Sequence, residues 1–274
     1  SPNQINHLLL NDGKGNYIQS KKILPDLRFS GGKVKSFDYD NDGDNDLLIT
    51  GRQIPGKYGF LATTFLLENQ LEKGTLLYKD VTSKVAPDFI NVGMITSAIC
   101  EDFNGDGTTD IMLAGEWTAP LIYFNENNTF KKSNQELLAD LSGWWFSLTT
   151  SDFDKDGDLD IVAGNLGKNY KYKASLKAPF ELHTSDFDAN GSLDIVLSFH
   201  EDGKQIPLRG RECSSNQMPS IKQKFKTYDA YGKALLEDVY GKEKLSKALH
   251  LKVNTFSSMY LENDGKGHFI PHEL

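Results

Sequence analysis

The sequence predicts an all-β fold made of repeated four-stranded units, and three observations carry that prediction. First, a nine-residue acidic loop that runs into an apolar strand occurs four times, beginning at Asp38, Asp102, Asp152 and Asp186. Second, Asn/Gly-rich turns between short strands recur: Asn11-Asp12-Gly13-Lys14-Gly15, Asn125-Glu126-Asn127-Asn128 and Asn263-Asp264-Gly265-Lys266-Gly267. These are hairpin turns by composition. Third, the two features alternate, so one unit reads strand, acidic loop, strand, connection, strand, Asn/Gly turn, strand. Loop starts are spaced 64, 50 and 34 residues apart, so the connections vary while the unit persists. Four-stranded units at such periods are the pattern of propeller blades. The expected architecture is therefore a β-propeller, or several blades of one, as a single domain over residues 1–274.

In the first unit the strands fall near 33–37, 46–50, 63–68 and 76–81. In the second they fall near 95–101, 110–114, 121–125 and 129–132. The third has strands near 145–151 and 160–163 and a ragged continuation near 170–174. The fourth has strands near 180–185, 194–199 and 204–208, with the C-terminal hairpin assigned to it. The hairpin at 7–18 has no acidic loop before it and stands as a half unit.

One stretch breaks the pattern. Ile221, Phe225 and Tyr228 fall on one helical face, as do Leu235, Leu236, Val239 and Tyr240. Leu245 and Leu249 extend the pattern beyond Gly241, which stops the helix before it. Residues 219–250 read as a helical insertion of two or three helices within the last unit, covering one edge of the scaffold.

The loops define the chemistry. They are Asp38/Asp40/Asp42/Asp44/Asp46, Asp102/Asn104/Asp106/Thr108/Asp110, Asp152/Asp154/Asp156/Asp158/Asp160 and Asp186/Asp188/Asn190/Ser192/Asp194, at positions 1, 3, 5, 7 and 9. Side-chain oxygens from positions 1, 3, 5 and 9 can converge, the position-7 carbonyl adds one more, and Gly at position 6 permits the sharp turn. Such an all-oxygen cage suits Ca2+ with its six to eight ligands, and the lack of His or Cys disfavours zinc and copper. An EF-hand requires Glu at position 12 between helices. Position 12 here is Ile49, Leu113, Ala163 or Leu197, inside a strand. Solvated Asx turns are the plainer alternative, but four loops with Gly at the same place favour metal. About four structural Ca2+ ions are expected. Loops one and three carry five acids each and are expected to bind tightest, and loop four to bind more weakly.

The motif Asp-x-Asp-x-Asp-Gly-x-x-Asp before an apolar strand and Gly resembles the FG-GAP or VCBS-type repeat, as in the calcium blades of integrin α-subunit propellers. The likeness covers most of the chain outside 209–250, although only Ala114-Gly115 and Ala163-Gly164 preserve the "GAP" half. The stretch from Arg211 to Pro219 plus the helical insertion is similar to VCBS-repeat surface proteins of Bacteroidetes grouped with ASPIC/UnbV domains. The resemblance implies a calcium-stabilised propeller that is extracellular, cell-surface or periplasmic, with ligands at loop positions 1, 3, 5, 7 and 9. It does not imply an enzyme, because function on such a fold is grafted; the expected role is a module that binds or adheres to a protein or a glycan.

Composition sets limits. The formal net charge is −8, with no basic stripe to neutralise phosphates, which argues against nucleic acid. The loops hold five, three, five and three of the 38 acidic residues, and four divalent cations would balance the net charge. Hydrophobic residues make up 38%, enough for a core, yet no apolar run reaches membrane-spanning length. Ser1-Pro2-Asn3 does not open a signal peptide. Two cysteines, Cys100 and Cys213, form no disulfide scaffold, and their pairing is open.

Trp117, Trp144 and Trp145 form a candidate ligand face that could stack on a sugar, with packing as the stronger expectation. Glu116 and Asn165–Asn169 are candidates for the same face. Arg209, Arg211 and Glu212 read as solvated charge. No GxSxG, HExxH or phosphate-cradling loop occurs. His183, His200 and His250 lie scattered and read as structural. The alternative to a binding module is a polysaccharide-active enzyme, a lyase or hydrolase, on the same calcium scaffold, since paired carboxylates are a matter of space rather than sequence.

Overall fold

A computed structural model describes residues 6–20, 22–71 and 76–274. Ser1-Pro2-Asn3 lies outside the described residues. The chain is mostly β, 41% strand and 15% helix, in several antiparallel sheets. No closed propeller is seen among the described residues.

Among the described residues, strands β1 (Leu8–Asn11) and β2 (Tyr17–Ser20) pair only with each other. The first large sheet runs in chain order through β3 (Ser30–Phe37), β4 (Asp46–Gln53), β5 (Phe65–Asn69) and β6 (Tyr78–Asp80). The short helix α1 (Thr82–Val85) leads to the second sheet. It holds β7 (Met94–Glu101), β8 (Asp110–Thr118), β9 (Leu121–Asn125) and β10 (Phe130–Ser133). After α2 (Glu136–Ala139), the two-residue β11 (Gly143–Trp144) adds to β8. Strands β12 (Ser147–Ser151) and β13 (Asp160–Gly164) begin a third sheet. Strands β14 (Phe180–Ser185), β15 (Asp194–Glu201) and β16 (Lys204–Pro207) build most of a fourth.

Five short helices follow: α3 (Arg211–Gln217), α4 (Ser220–Lys224), α5 (Tyr228–Gly232), α6 (Leu236–Tyr240) and α7 (Lys242–Lys247). The helical run thus starts upstream of residue 219 and ends before 249. Helix α3 carries no apolar stripe. Its buried side is Arg211, Ser214 and Ser215, held by hydrogen bonds such as Ser214 Oγ to Tyr231 Oη at 2.8 Å. Hydrophobic periodicity therefore gave no sign of it. Residues 249–253, partly read as helix, form β17 (Leu249–Val253) on the outer side of β14. Leu249, Leu251 and Val253 alternate along it, whereas the four-residue step from Leu245 to Leu249 mimics a helix.

The C-terminal hairpin, β18 (Met259–Asn263) and β19 (Phe269–Glu273), corrects the expected unit assignment. It joins the third sheet, not the fourth, with Ile161 opposite Leu261. The third unit has no further strands of its own, since 170–174 is irregular and feeds Tyr170 and Tyr172 into an aromatic cluster. The hairpin fills the vacant side of β13.

In the first two loops the aromatic residue at position 2 joins successive sheets. Tyr39 of the first sheet's loop packs near Phe130 of the second, and Phe103 of the second against Phe269 of the third. Gly51 and Gly115 mark close approaches: a Cβ there would press into the carbonyls of Thr63 and Met94. These are the glycines that follow the apolar strands in the repeat. The helical layer covers one face of the fourth sheet, with Val196 and Phe187 packed among Met218, Ile221, Leu236 and Tyr240.

Candidate functional site

All four acidic loops adopt one conformation. Position 6 is left-handed in each, at Gly43, Gly107, Gly157 and Gly191, with φ from +85° to +104°. A Cβ there would be strained, so glycine is required. The position-7 amide donates to the position-5 side chain each time: Asp44 to Asp42 at 3.0 Å, Thr108 to Asp106 at 2.8 Å, Asp158 to Asp156 at 3.1 Å and Ser192 to Asn190 at 2.8 Å.

Position 9 is buried in every loop, at Asp46, Asp110, Asp160 and Asp194. One oxygen accepts the amide of the position-2 aromatic. Tyr39 donates to Asp46 at 3.0 Å, Phe103 to Asp110 at 3.1 Å, Phe153 to Asp160 at 3.1 Å and Phe187 to Asp194 at 2.9 Å. The other oxygen reaches across to the next element. A carboxylate offers about four lone-pair directions, so a metal remains compatible with these bonds. Position 9 thus anchors the loop to the sheet whatever else it binds.

The remaining carboxylates separate the loops. Asp38, Asp40 and Asp42 bring ligand oxygens within 4.8 Å of one another, as do Asp152, Asp154 and Asp160, and Asp186, Asp188 and Asp194. In the first loop the Oδ1 atoms of Asp38, Asp40 and Asp44 are buried without a hydrogen-bond partner, as are Oδ1 of Asp158 and of Asp188 in the third and fourth. Burial, opposed by the amides of Tyr39 and Asn69, pushes the Asp46 carboxyl up to about 6. Burial and then the neighbouring aspartates push Asp158 up to about 6. Here the chain supplies negative charge that its own donors do not compensate.

The second loop differs. Asp106 accepts from Thr108 Oγ1 at 2.6 Å and from Asn104 Nδ2 at 3.1 Å. These bonds outweigh the effect of burial and hold Asp106 below the usual carboxylate range. Asp102 accepts amides from Gly105 and Gly107, both at 2.8 Å. Asp102 and Asp106 are thus satisfied from within, although burial, opposed by the amides of Asn125 and Phe103, pushes Asp110 up to about 6 just as it does Asp46.

The tryptophans do not form an exposed stacking face. Trp145 and Trp117 are buried, at 0% and 7% exposure, and Trp144 is half-buried. Trp117 and Trp144 pack edge-to-face at 5.2 Å and meet Phe180. Glu116 joins two sheets: Arg52 Nη2 donates to it at 2.5 Å and Tyr58 Oη at 2.7 Å, while Trp117 Nε1 donates to Tyr58 Oη at 3.0 Å. Asn165 is a staple too, donating to the carbonyls of Thr255 and Ser257. Arg211, expected to be solvated, is buried, with Nε donating to the Phe225 carbonyl at 2.6 Å. Cys100 and Cys213 are both free thiols, and burial pushes Cys100 up to about 12.

One cluster escaped the sequence reading. Glu181, His183, His200 and His250, scattered along the chain, meet on one face of the fourth sheet. His183 lies directly across from His250, and Glu181 is two residues back along β14. His200 Nε2 lies 2.7 Å from Glu181 Oε1, and His250 Nε2 contacts Glu181 Oε2. The His183 and His250 rings stack at 4.2 Å with 15° between planes. Burial would raise the Glu181 carboxyl, but hydrogen bonds from His250 and His200 outweigh it and hold it at about 2. The Glu181-x-His183 spacing was the available signal; it pointed nowhere while residue 250 was read as helix.

Against known families, residues 102–163 match the FG-GAP-like repeat. The match runs from the second acidic loop through the third, so the repeat comprises loop, sheet and following loop as described. No curated protein matches the chain. No helix among the described residues is long and apolar enough to cross a membrane.

Proposed function

We propose that the chain is a calcium-stabilised, propeller-type module that binds a protein or glycan ligand outside the cell, with Ca2+ in a structural role. The observation that carries this reading is the first loop, where ligand oxygens of Asp38, Asp40 and Asp42 gather within 4.8 Å and Oδ1 of Asp38, Asp40 and Asp44 are buried without donors. Oxygen-only donors on a flexible loop favour Ca2+ over smaller or softer ions. The third and fourth loops repeat the gathering. The FG-GAP-like repeat at 102–163 supports a binding or adhesion role, and kinship with VCBS-repeat surface proteins belongs to the same reading.

Here the cation acts on the fold. It neutralises acids that repel one another and ties the start of a strand to the loop before it, so binding and folding are linked. Calorimetry with Ca2+, with Mg2+ and with chelator tests this. Ca2+ raises Tm and Mg2+ does so less. A site held at 100 times its Kd contributes about 2.7 kcal/mol. An unchanged Tm on chelation overturns the calcium reading. A glycan and surface-protein binding screen in Ca2+ then tests the ligand class, and turnover of an acidic polysaccharide would replace binding with catalysis.

A further inference from the structure

We propose that Glu181, His183 and His250 form a second kind of metal site, for a borderline transition ion of the Zn2+ class, separate from the acidic loops. Strand alternation places Glu181 and His183 on the same face of β14. His250 stands opposite His183 on β17. One donor atom from each of the three lies within 4.8 Å of the other two. Two imidazoles and one carboxylate are a donor set for Zn2+ and its neighbours, whereas Ca2+ takes oxygen.

A purely structural Glu–His arrangement accounts for part of this cluster. Glu181 between His200 and His250 would be a satisfied acceptor. It does not account for His183, whose Nδ1 is buried and has no hydrogen-bond partner. Cross-strand pairing already holds the two imidazoles stacked at 4.2 Å, and a shared ion draws a ring nitrogen of each and the carboxylate to one centre. His200, through its 2.7 Å contact with Oε1, is then a positioning residue that fixes the Glu181 carboxylate.

The site opens on a cavity of about 210 Å³ between the sheet and the helical layer, walled by Gln205, Glu237, Lys242 and Ser246. Three protein donors leave a fourth position facing that cavity, for water or a small anion. The helices at 236–247 therefore roof a site as well as covering a sheet.

The test is titration of the intact chain with ZnCl2 in excess Ca2+, with CoCl2 as a spectroscopic probe. The expected result is one saturable ion per chain that Ca2+ does not displace, and Co2+ absorption of low-symmetry, nitrogen-containing coordination. His250 lies on an edge strand and its side chain is partly exposed, so His250→Gln should fold, checked by circular dichroism. It should abolish the site, Glu181→Gln should do likewise, and His200→Gln should weaken it about tenfold. A control pair, His268→Gln and His272→Gln, removes the exposed His–carboxylate pairs with Asp264 and Glu262 and should change nothing. No binding by the wild type overturns the proposal, as does Zn2+ binding that survives His250→Gln or is lost in the control pair.

Discussion

Gln217 Nε2 donates to Asp194 Oδ1 at 3.0 Å, a side chain of the helical layer doing what a strand does elsewhere. In the other three sheets the same oxygen accepts a backbone amide from the third strand. Asn69 donates to Asp46 at 2.8 Å, Asn125 to Asp110 at 2.9 Å and Asn263 to Asp160 at 2.9 Å. The helices are thus wired into the fourth acidic loop.

Gln217→Leu should therefore destabilise the protein by ~1–3 kcal/mol, because it strips a donor from a buried carboxylate. Urea unfolding measures it. An unchanged midpoint and slope would show that the helical layer is not coupled to the loop.

The loops should rank by how far their acids are already satisfied. Asp40→Ala in the first loop should cost more Ca2+ affinity and more calcium-dependent Tm than Asp106→Ala in the second, whose carboxylate is engaged by Thr108 and Asn104. This moves the expected weak site from the fourth loop to the second. Calcium titration of both variants decides it, and equal losses would contradict the ranking.

Gly115→Ala should destabilise by ~1–3 kcal/mol, since the added methyl meets the Met94 carbonyl of the neighbouring strand, a backbone atom that cannot swing aside. Gly210→Ala, where nothing lies within 4 Å, is the matched control. Thermal melts of the two in Ca2+ should differ clearly.

Acid should destabilise the metal-free protein in part through His183. Burial, with the nearby His250 charge, lowers this imidazole to about 4, against about 6.5 in an unfolded chain. Its contribution is present in full above about 6.5 and falls as pH drops toward 4, because only the unfolded state takes up the proton, at most about 1.4 kcal/mol per pH unit. Glu181, held at about 2, adds a loss of the same sign at lower pH. In chelator, the pH slope of unfolding free energy between 6.5 and 4 should be shallower for His183→Gln. Parallel curves would remove His183 from the account.

What the sequence made legible was local. Nine-residue loops, their glycines and the strands behind them depend on neighbours in the chain, so Asp38–Gly51 could be read directly. Long-range pairing could not. Nothing near Asp160 announces that Asn263 will complete its sheet, and nothing near His183 announces His250. The tryptophans pack, as was the stronger expectation, but alternation could not say that Phe180 would be the residue that covers Trp117 and Trp144.

The placement of β18 and β19 has a kinetic consequence. Tyr260 Oη donates to Asp160 across 100 residues of chain, and the third sheet is incomplete until that contact forms. Such loops close slowly. On the ribosome, β13 would emerge and wait with an unpaired edge while the fourth sheet and all five helices of the insertion were still being made. A nascent chain in that interval offers an open strand edge to any other strand nearby. The hairpin at 259–273 thus sets the moment at which the open edge of β13 is covered.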